Sequence, residues 1–293
     1  MNDTIKPRRP LFALVMSLVL PGFGQLYNGE VNKAIWIFLA FLFAMVGITP
    51  FVALHIPGKL MMPVLVGGQL LALAIWVYSM RDAWRIAARS QEYVLQQWQK
   101  SGVYAAAFIL LIGLLLPWLS AYVRDRQVAS FRFPASSMFP TVMPGEWVFA
   151  DKRYNCFECG QAVVRGDIVV FTYPNNRTLY YVNRVIGLPG ERIEVRDGAV
   201  SINGRSLALG DMEGDGTRRW RVSWAEADRH LPDTDLIVPA GQVFLMGDNR
   251  NLSEDSRLFG PVPLRDVVGK LRQVWFSAAD GRVRWDRIGV VVE

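Results

Sequence analysis

The chain has 293 residues, with 32 lysines and arginines against 26 acidic residues, for a formal net charge of +6. Apolar residues make up 52%, which excludes a disordered, solvated chain and is high for a soluble protein. The basic excess comes without an aromatic-basic module, so no nucleic acid is expected as partner; it suits anionic lipid headgroups instead.

In chain order, Lys6, Arg8 and Arg9 precede an apolar stretch, LFALVMSLVL at 11–20, which Pro21-Gly22 interrupts after ten residues. That is too short to span a bilayer, so 11–27 is expected to be interfacial or re-entrant. A cleavable signal peptide is the rival reading, but no small-x-small cleavage site follows. PGFGQLYNGE at 21–30 resembles a Pro-Gly-x-Gly-Gln…Tyr-x-Gly motif of small multi-span membrane modules. It reads equally well as a glycine-rich bend that lets the chain enter the membrane.

Three later runs, 34–56, 61–80 and 103–122, approach or exceed the roughly 20 apolar residues that a span requires. The basic residues Lys6, Arg8, Arg9 and Lys33, and Arg81, Arg85, Arg89 and Lys100 in the 81–102 loop, predict a cytoplasmic N-terminus and a cytoplasmic 81–102 loop. The turn at 57–60 carries one lysine. Residues 1–122 are thus expected to be a membrane region, and 124–293 a domain on the outer side.

From Phe131 the pattern changes. Segments such as EWVFADK, GDIVVFTY, YYVNRVIG, ERIEVRDG, QVFLMGD and VVGKLRQVWFS are short, rich in Val, Ile, Phe and Tyr, and punctuated by Gly, Pro, Asn and Asp. Asp197-Gly198 predicts a hairpin turn. The expected fold class is N-terminal transmembrane helices followed by a mainly-β domain of coiled, partly closed antiparallel sheets.

FPASSMFPTVMPGE at 133–146 places Ser137 among prolines and apolar residues, where a serine most often only makes a turn. Three further segments sharpen the reading: RGDIVVFTYP (165–174), YYVNRVIGLPGE (180–191) and MGDNRNLSEDSRLFGPVP (246–263). With SMFPT (137–141), in this order, they resemble the boxes of the type I signal peptidases, membrane-anchored serine proteases. The terminal RVRWDRIG is similar to that family's end.

The resemblance implies that Ser137 is the nucleophile, attacking a peptide carbonyl after a small residue. Met138 would line the pocket for that residue, and the Ser137 N–H would face the oxyanion. Ser253 falls where the family orients its base. Asp248, Asp255 and Arg257 fall on an ion-paired framework around the cleft. Signal peptides of secretory preproteins would bind extended along exposed strands, next to the lipid bilayer of a bacterial inner membrane.

The family's base is a lysine with a lowered pKa, and that position here is Asn183, which cannot take a proton. Ala135 stands where part of the family has a serine that assists the oxyanion, and Asn251-Leu252 replaces Asp-Asn. Two other residues are weighed as bases: His230, in a polar insertion at 206–235, and Lys152, expected to do ordinary surface work. His55 is expected to be remote. The expected function is removal of signal peptides by an altered catalytic set. The alternatives are a relative that binds signal peptides or exported segments without cutting, and a membrane-assembly factor centred on 1–122.

Cys156 and Cys159 form C-x-x-C, half a zinc set. A disulfide, free thiols and a metal shared between subunits are the three readings, and the chemistry calls for no cofactor or metal. Phe131, Phe133, Met138, Phe139, Val142, Met143, Trp147 and Phe149 are expected in core strands, with some exposed toward lipid.

Overall fold

The computed structural model describes residues 7–56, 58–90, 92–155, 162–209, 212–224 and 232–292; Cys156, Cys159 and His230 lie outside them. The chain divides into two compact units, Met1–His55 with Met62–Val123, and Ile56–Met61 with Arg124–Glu293.

The first unit is helical. Two short helices, α1 (Pro10–Val19) and α2 (Phe23–Tyr27), precede three long ones. These are α3 (Val31–His55), α4 (Gly58–Arg89) and α5 (Ser101–Arg126), each long and apolar enough to cross a membrane. α1 starts on a proline, whose missing N–H costs nothing at a first turn.

The Pro-Gly-x-Gly-Gln motif between α1 and α2 is more than a bend. Gly22 has φ +95° and donates its N–H to Ser79 Oγ of α4 at 3.0 Å. A Cβ on Gly24 would stand 2.2 Å from Ser17 Oγ and 2.3 Å from Ala13 O, so only glycine allows the approach. The buried Gln25 donates from Nε2 to Ser79 O at 2.9 Å and to Asp82 Oδ2 at 3.0 Å. Asp82 also pairs with Lys33 at 2.7 Å. Polar groups otherwise costly in an apolar bundle thereby satisfy one another.

The second unit is built of strands: β1 (Val128–Phe133), β2 (Glu146–Asp151), β3 (Ile168–Thr172), β4 (Tyr180–Gly187), β5 (Arg192–Arg196), β6 (Ala199–Ile202), β7 (Arg205–Ser206), β8 (Ala208–Leu209), β9 (Met212–Gly214), β10 (Arg219–Arg221), β11 (Thr234–Ile237), β12 (Gln242–Met246), β13 (Val262–Pro263), β14 (Val267–Ala279) and β15 (Arg282–Val283). One sheet runs β1-β2-β14-β3-β4-β12-β13, with β15 on β14; two smaller sheets run β10-β9-β8 and β11-β5-β6-β7. Every strand pairing is antiparallel among the described residues.

The large sheet is covered on both faces. Ile168 and Val170 pack with Val148, Val182, Leu271 and Val274, whereas Val169 and Phe171 pack on the other face with Val185, Val243 and Leu245. That is why β3 reads as a continuous apolar run rather than an alternating one. The β5–β6 hairpin turns at Asp197 (φ 48°) and Gly198 (φ 79°), the two positive φ values that a tight hairpin with right-handed strand twist requires.

Candidate active site

Ser137 lies in the loop between β1 and β2, and this loop is fastened at several points. Met138 and Val142 are buried in the core on one face of the sheet, each contributing on the order of 2 kcal/mol by burial. The C-terminal RVRWDRIG segment clamps the loop from its own side. Arg287 donates to Glu146 Oε1 at 2.7 Å and to Thr141 O at 2.8 Å, and Arg284 donates to Pro144 O at 2.6 Å.

The loop after β12 completes the cradle. Asn249 donates its N–H to Ser137 O at 3.0 Å and its Nδ2 to Ser136 O at 3.1 Å. Gly247 is the contact point: a Cβ there would stand 2.2 Å from Ser253 Oγ and 2.6 Å from Ser137 O. The backbone carrying Ser137 and the buried Ser253 can meet only over a glycine. Among the described residues, neither the N–H nor the hydroxyl of Ser137 is hydrogen-bonded within the protein. Ala135 adds no hydroxyl.

Asn183 is buried on β4, opposite Val169 of β3. Its Nδ2 donates to Glu254 O at 3.3 Å, and its Oδ1 faces Ser253 Oγ at 3.5 Å. Both ends of the amide are thus engaged with the loop that follows β12. Glu254, which the sequence reading did not single out, turns its carboxylate to two tyrosines. It accepts from Tyr173 at 2.7 Å and from Tyr181 at 3.3 Å, and the two rings stack with centroids 4.2 Å apart. The hydrogen bond to Glu254 pushes the Tyr173 phenol up, and burial followed by the Glu254 charge does the same for Tyr181. Tyr181 shares a face of β4 with Asn183, two residues on.

Asp255 and Arg257 pair with each other, and Asp248 pairs with Arg184, which the sequence had not singled out. Arg184 embraces Asp248 bidentately, at 2.8 and 2.7 Å, and also donates to Gly166 O at 2.7 Å. Thr141 donates its hydroxyl to the same carboxylate, tying the Ser137 loop to it. Asp255 accepts from Arg257 at 2.9 and 2.7 Å and from the Gly247 N–H at 3.1 Å. Arg257 also donates to Arg250 O at 2.7 Å. The buried Arg250 pairs with Glu213 of β9, and Trp220 of β10 lies 5.1 Å from the Arg184 guanidinium. Glu213 and Trp220, from the polar stretch 206–235, are therefore tied to the arginines beside the Ser137 loop. The signal that could have found Glu213 is a charge count: an arginine buried in the GDNR box requires a carboxylate partner.

Lys152, expected at the surface, is half-buried after β2, and burial lowers its pKa, against a small opposing effect of Asp125. No hydrogen bond or ion pair joins it to Ser137. His55 belongs to the helical unit, where its Nδ1 lies 3.1 Å from Phe51 O. No group of three or more possible metal-ligating side chains occurs among the described residues.

The chain thus joins apolar helices of membrane-spanning length to a mainly antiparallel β unit whose β1–β2 loop carries Ser137. Comparison with known proteins gives the family. The family model "Signal peptidase, peptidase S26" matches residues 98–276. A signal peptidase I of Pseudomonas fluorescens is 30% identical over 73% of this chain and 85% of its own length. That of Pseudomonas aeruginosa is 28% identical over 69% and 81%, respectively. A crystal structure of a signal peptidase I from Enterococcus faecalis V583 is 34% identical, covering 38% of this chain and 97% of that one, with a TM-score of 0.30. The chain belongs to the signal peptidase family, peptidase S26.

Proposed function

We propose that this chain holds the signal-peptide end of exported preproteins extended beside Ser137, and that its own hydrolysis of them is crippled at the base. Asn183 carries this reading. The amide stands at the family's lysine position, buried, with both ends engaged by Ser253 and the Glu254 backbone. It cannot accept the Ser137 proton. The rest of the machinery would still serve binding: Ser137 in its fastened loop, Met138 beneath the pocket for a small side chain, and the Asp248 and Asp255–Arg257 pairs holding the cleft open to a strand-like peptide. The proposed setting is a bacterial inner membrane crossed three times, with the end of α4 and the 90–100 connection inside and the β unit outside. Reporters fused after Lys100 and after Arg126 should read cytoplasm and outer side, respectively.

The test uses the purified full chain in detergent with a preprotein carrying a small-x-small site. Saturable binding with cleavage near background is the expected result. The second reading, cleavage by an altered catalytic set, draws on the unengaged hydroxyl and N–H of Ser137. Efficient cleavage that disappears in Ser137→Ala would establish it and displace the first. Absence of both binding and cleavage would reject both.

A further inference from the structure

The helical unit contains a buried arginine that pairs with no carboxylate among the described residues. Arg8, one residue before the N-cap of α1, is 7% exposed. Its guanidinium is sandwiched between two tyrosine rings, 4.4 Å from the centroid of Tyr27 and 4.0 Å from that of Tyr93. Its backbone N–H is pinned to Ser90 O at 3.1 Å, just past the end of α4. The cage is itself fixed. Gln99 donates to Tyr27 O at 3.2 Å, Tyr27 accepts from the Arg9 N–H at 3.2 Å, and the Tyr93 hydroxyl lies so close to Gly29 that a Cβ there would stand 2.1 Å from it.

Within this cage the Arg8 Nε and Nη2 have no hydrogen-bond partner, and neither has the hydroxyl of Tyr104. The Tyr104 ring lies 6.5 Å from that of Tyr27. Asp82 is engaged with Lys33 and Gln25, and Glu30 pairs with Lys33 at 3.5 Å. Among the described residues no carboxylate pairs with Arg8. A buried charge without partners is strongly unfavourable, and unpartnered guanidinium donors call for an anion. The unpartnered nitrogens are those of one guanidinium edge, the fork that grips a tetrahedral or planar oxyanion with two parallel hydrogen bonds.

We propose that Arg8 and Tyr104, walled by Tyr27 and Tyr93, form a binding site for a phosphate group, supplied by the headgroup of an anionic glycerophospholipid. The setting favours a lipid over a free ion. The site gathers the start of α1, the end of α4 and the start of α5; Arg81, Arg85 and Arg89 lie in the C-terminal part of α4, and Lys100 immediately precedes α5. Tyrosines and a tryptophan, Trp98, whose ring is 6.5 Å from Tyr104, cluster there as aromatic residues do at a membrane interface.

The test compares the purified full chain in a phosphate-free sugar detergent, alone, with added phosphatidylglycerol, and with added inorganic phosphate. Thermal midpoint and lipid retained in native mass spectra are the readouts. Phosphatidylglycerol should raise the midpoint and remain bound to the wild type. Arg8→Gln should weaken binding about ten- to a hundredfold, the expected loss for a charge-assisted pair of hydrogen bonds. Tyr104→Phe should weaken it severalfold and serves if Arg8→Gln does not fold. Arg9→Gln, which removes the same charge from an exposed neighbour, should bind like wild type. Equal loss in Arg9→Gln and Arg8→Gln, or no response of the wild type to either additive, overturns the site. A response to phosphate without one to phosphatidylglycerol keeps the phosphate chemistry and overturns the lipid assignment.

Discussion

Ser253 points its hydroxyl at Asn183 Oδ1 across 3.5 Å, with both side chains buried. At that length the hydrogen bond is weak, and an amide oxygen has no use for an orienting partner in proton transfer. Ser253→Ala should therefore cost only about 1 kcal/mol in stability and leave preprotein affinity unchanged. Equilibrium unfolding and fluorescence anisotropy check the two halves; a tenfold loss of affinity would show that Ser253 itself touches the peptide.

Gly247 carries a sharper constraint. A methyl there meets the Ser137 carbonyl, a backbone atom that cannot rotate away, at 2.6 Å. Gly247→Ala must push apart the Ser137 loop and the loop bearing Ser253. Overpacking of this kind costs about 1–3 kcal/mol. Binding of a small-x-small preprotein should fall with it, because the cleft walls no longer keep their spacing. An affinity equal to wild type in a folded Gly247→Ala protein would place the peptide away from Ser137.

Some of this was legible in the sequence and some was not, for physical reasons. The β unit announced itself because short Val/Ile/Phe/Tyr runs between turn residues have few other ways to satisfy their backbone. Asp197-Gly198 was readable because its φ values are local. The three long helices were visible because apolar length alone specifies them. The partners of the framework were not readable. Arg184–Asp248 and Arg250–Glu213 join residues 64 and 37 positions apart, and nothing local in either strand marks the pairing. Glu254 looked like an ordinary polar loop residue; the hydrogen bond from Tyr181 is what shows that its carboxylate faces the side of β4 that bears Asn183.

Asp167, in the RGDIVV box, gives a pH prediction. Its carboxylate accepts from Lys270, from Tyr154 and from Arg218, each at 2.6 Å. Burial alone would raise its pKa, but these hydrogen bonds outweigh it and hold the carboxyl below the usual range. A depressed folded pKa means stability that is present above the unfolded value, about 4, and is lost as pH falls through the folded one. Asp167→Asn should lose about 3 kcal/mol at neutral pH, less than a fully buried pair because Arg218 and Lys270 can partly rehydrate. Its thermal midpoint should also fall less steeply than wild type between pH 5 and pH 3 (approximate bounds from the carboxylate range). Parallel acid limbs in the two proteins would contradict the assignment.

Restoring the base is the most demanding prediction, because the structure changes what the restoration requires. Asn183→Lys places an ammonium on β4 facing Ser253, in a buried setting that lowers a lysine's pKa and so favours a neutral amine. General-base assistance is worth about 10²–10⁴-fold, so cleavage of a small-x-small preprotein should rise by that order and vanish in Asn183→Lys, Ser137→Ala. Glu254 acts against the gain. Its carboxylate, held by Tyr181 on the same face, favours the protonated lysine and raises the pKa that burial lowers. The single variant should therefore cut best at alkaline pH, with a rate still climbing above neutrality. Adding Glu254→Gln removes the charge while keeping an acceptor for Tyr173 and Tyr181, so the rising limb of the pH–rate profile should move to lower pH. In the double variant Ser253→Ala should now be costly, since the hydroxyl finally has a base to orient. A pH–rate profile that Glu254→Gln leaves in place would mean that the carboxylate does not sense the lysine. A folded, peptide-binding Asn183→Lys that stays inert at every pH would show that the cleft lacks more than its base.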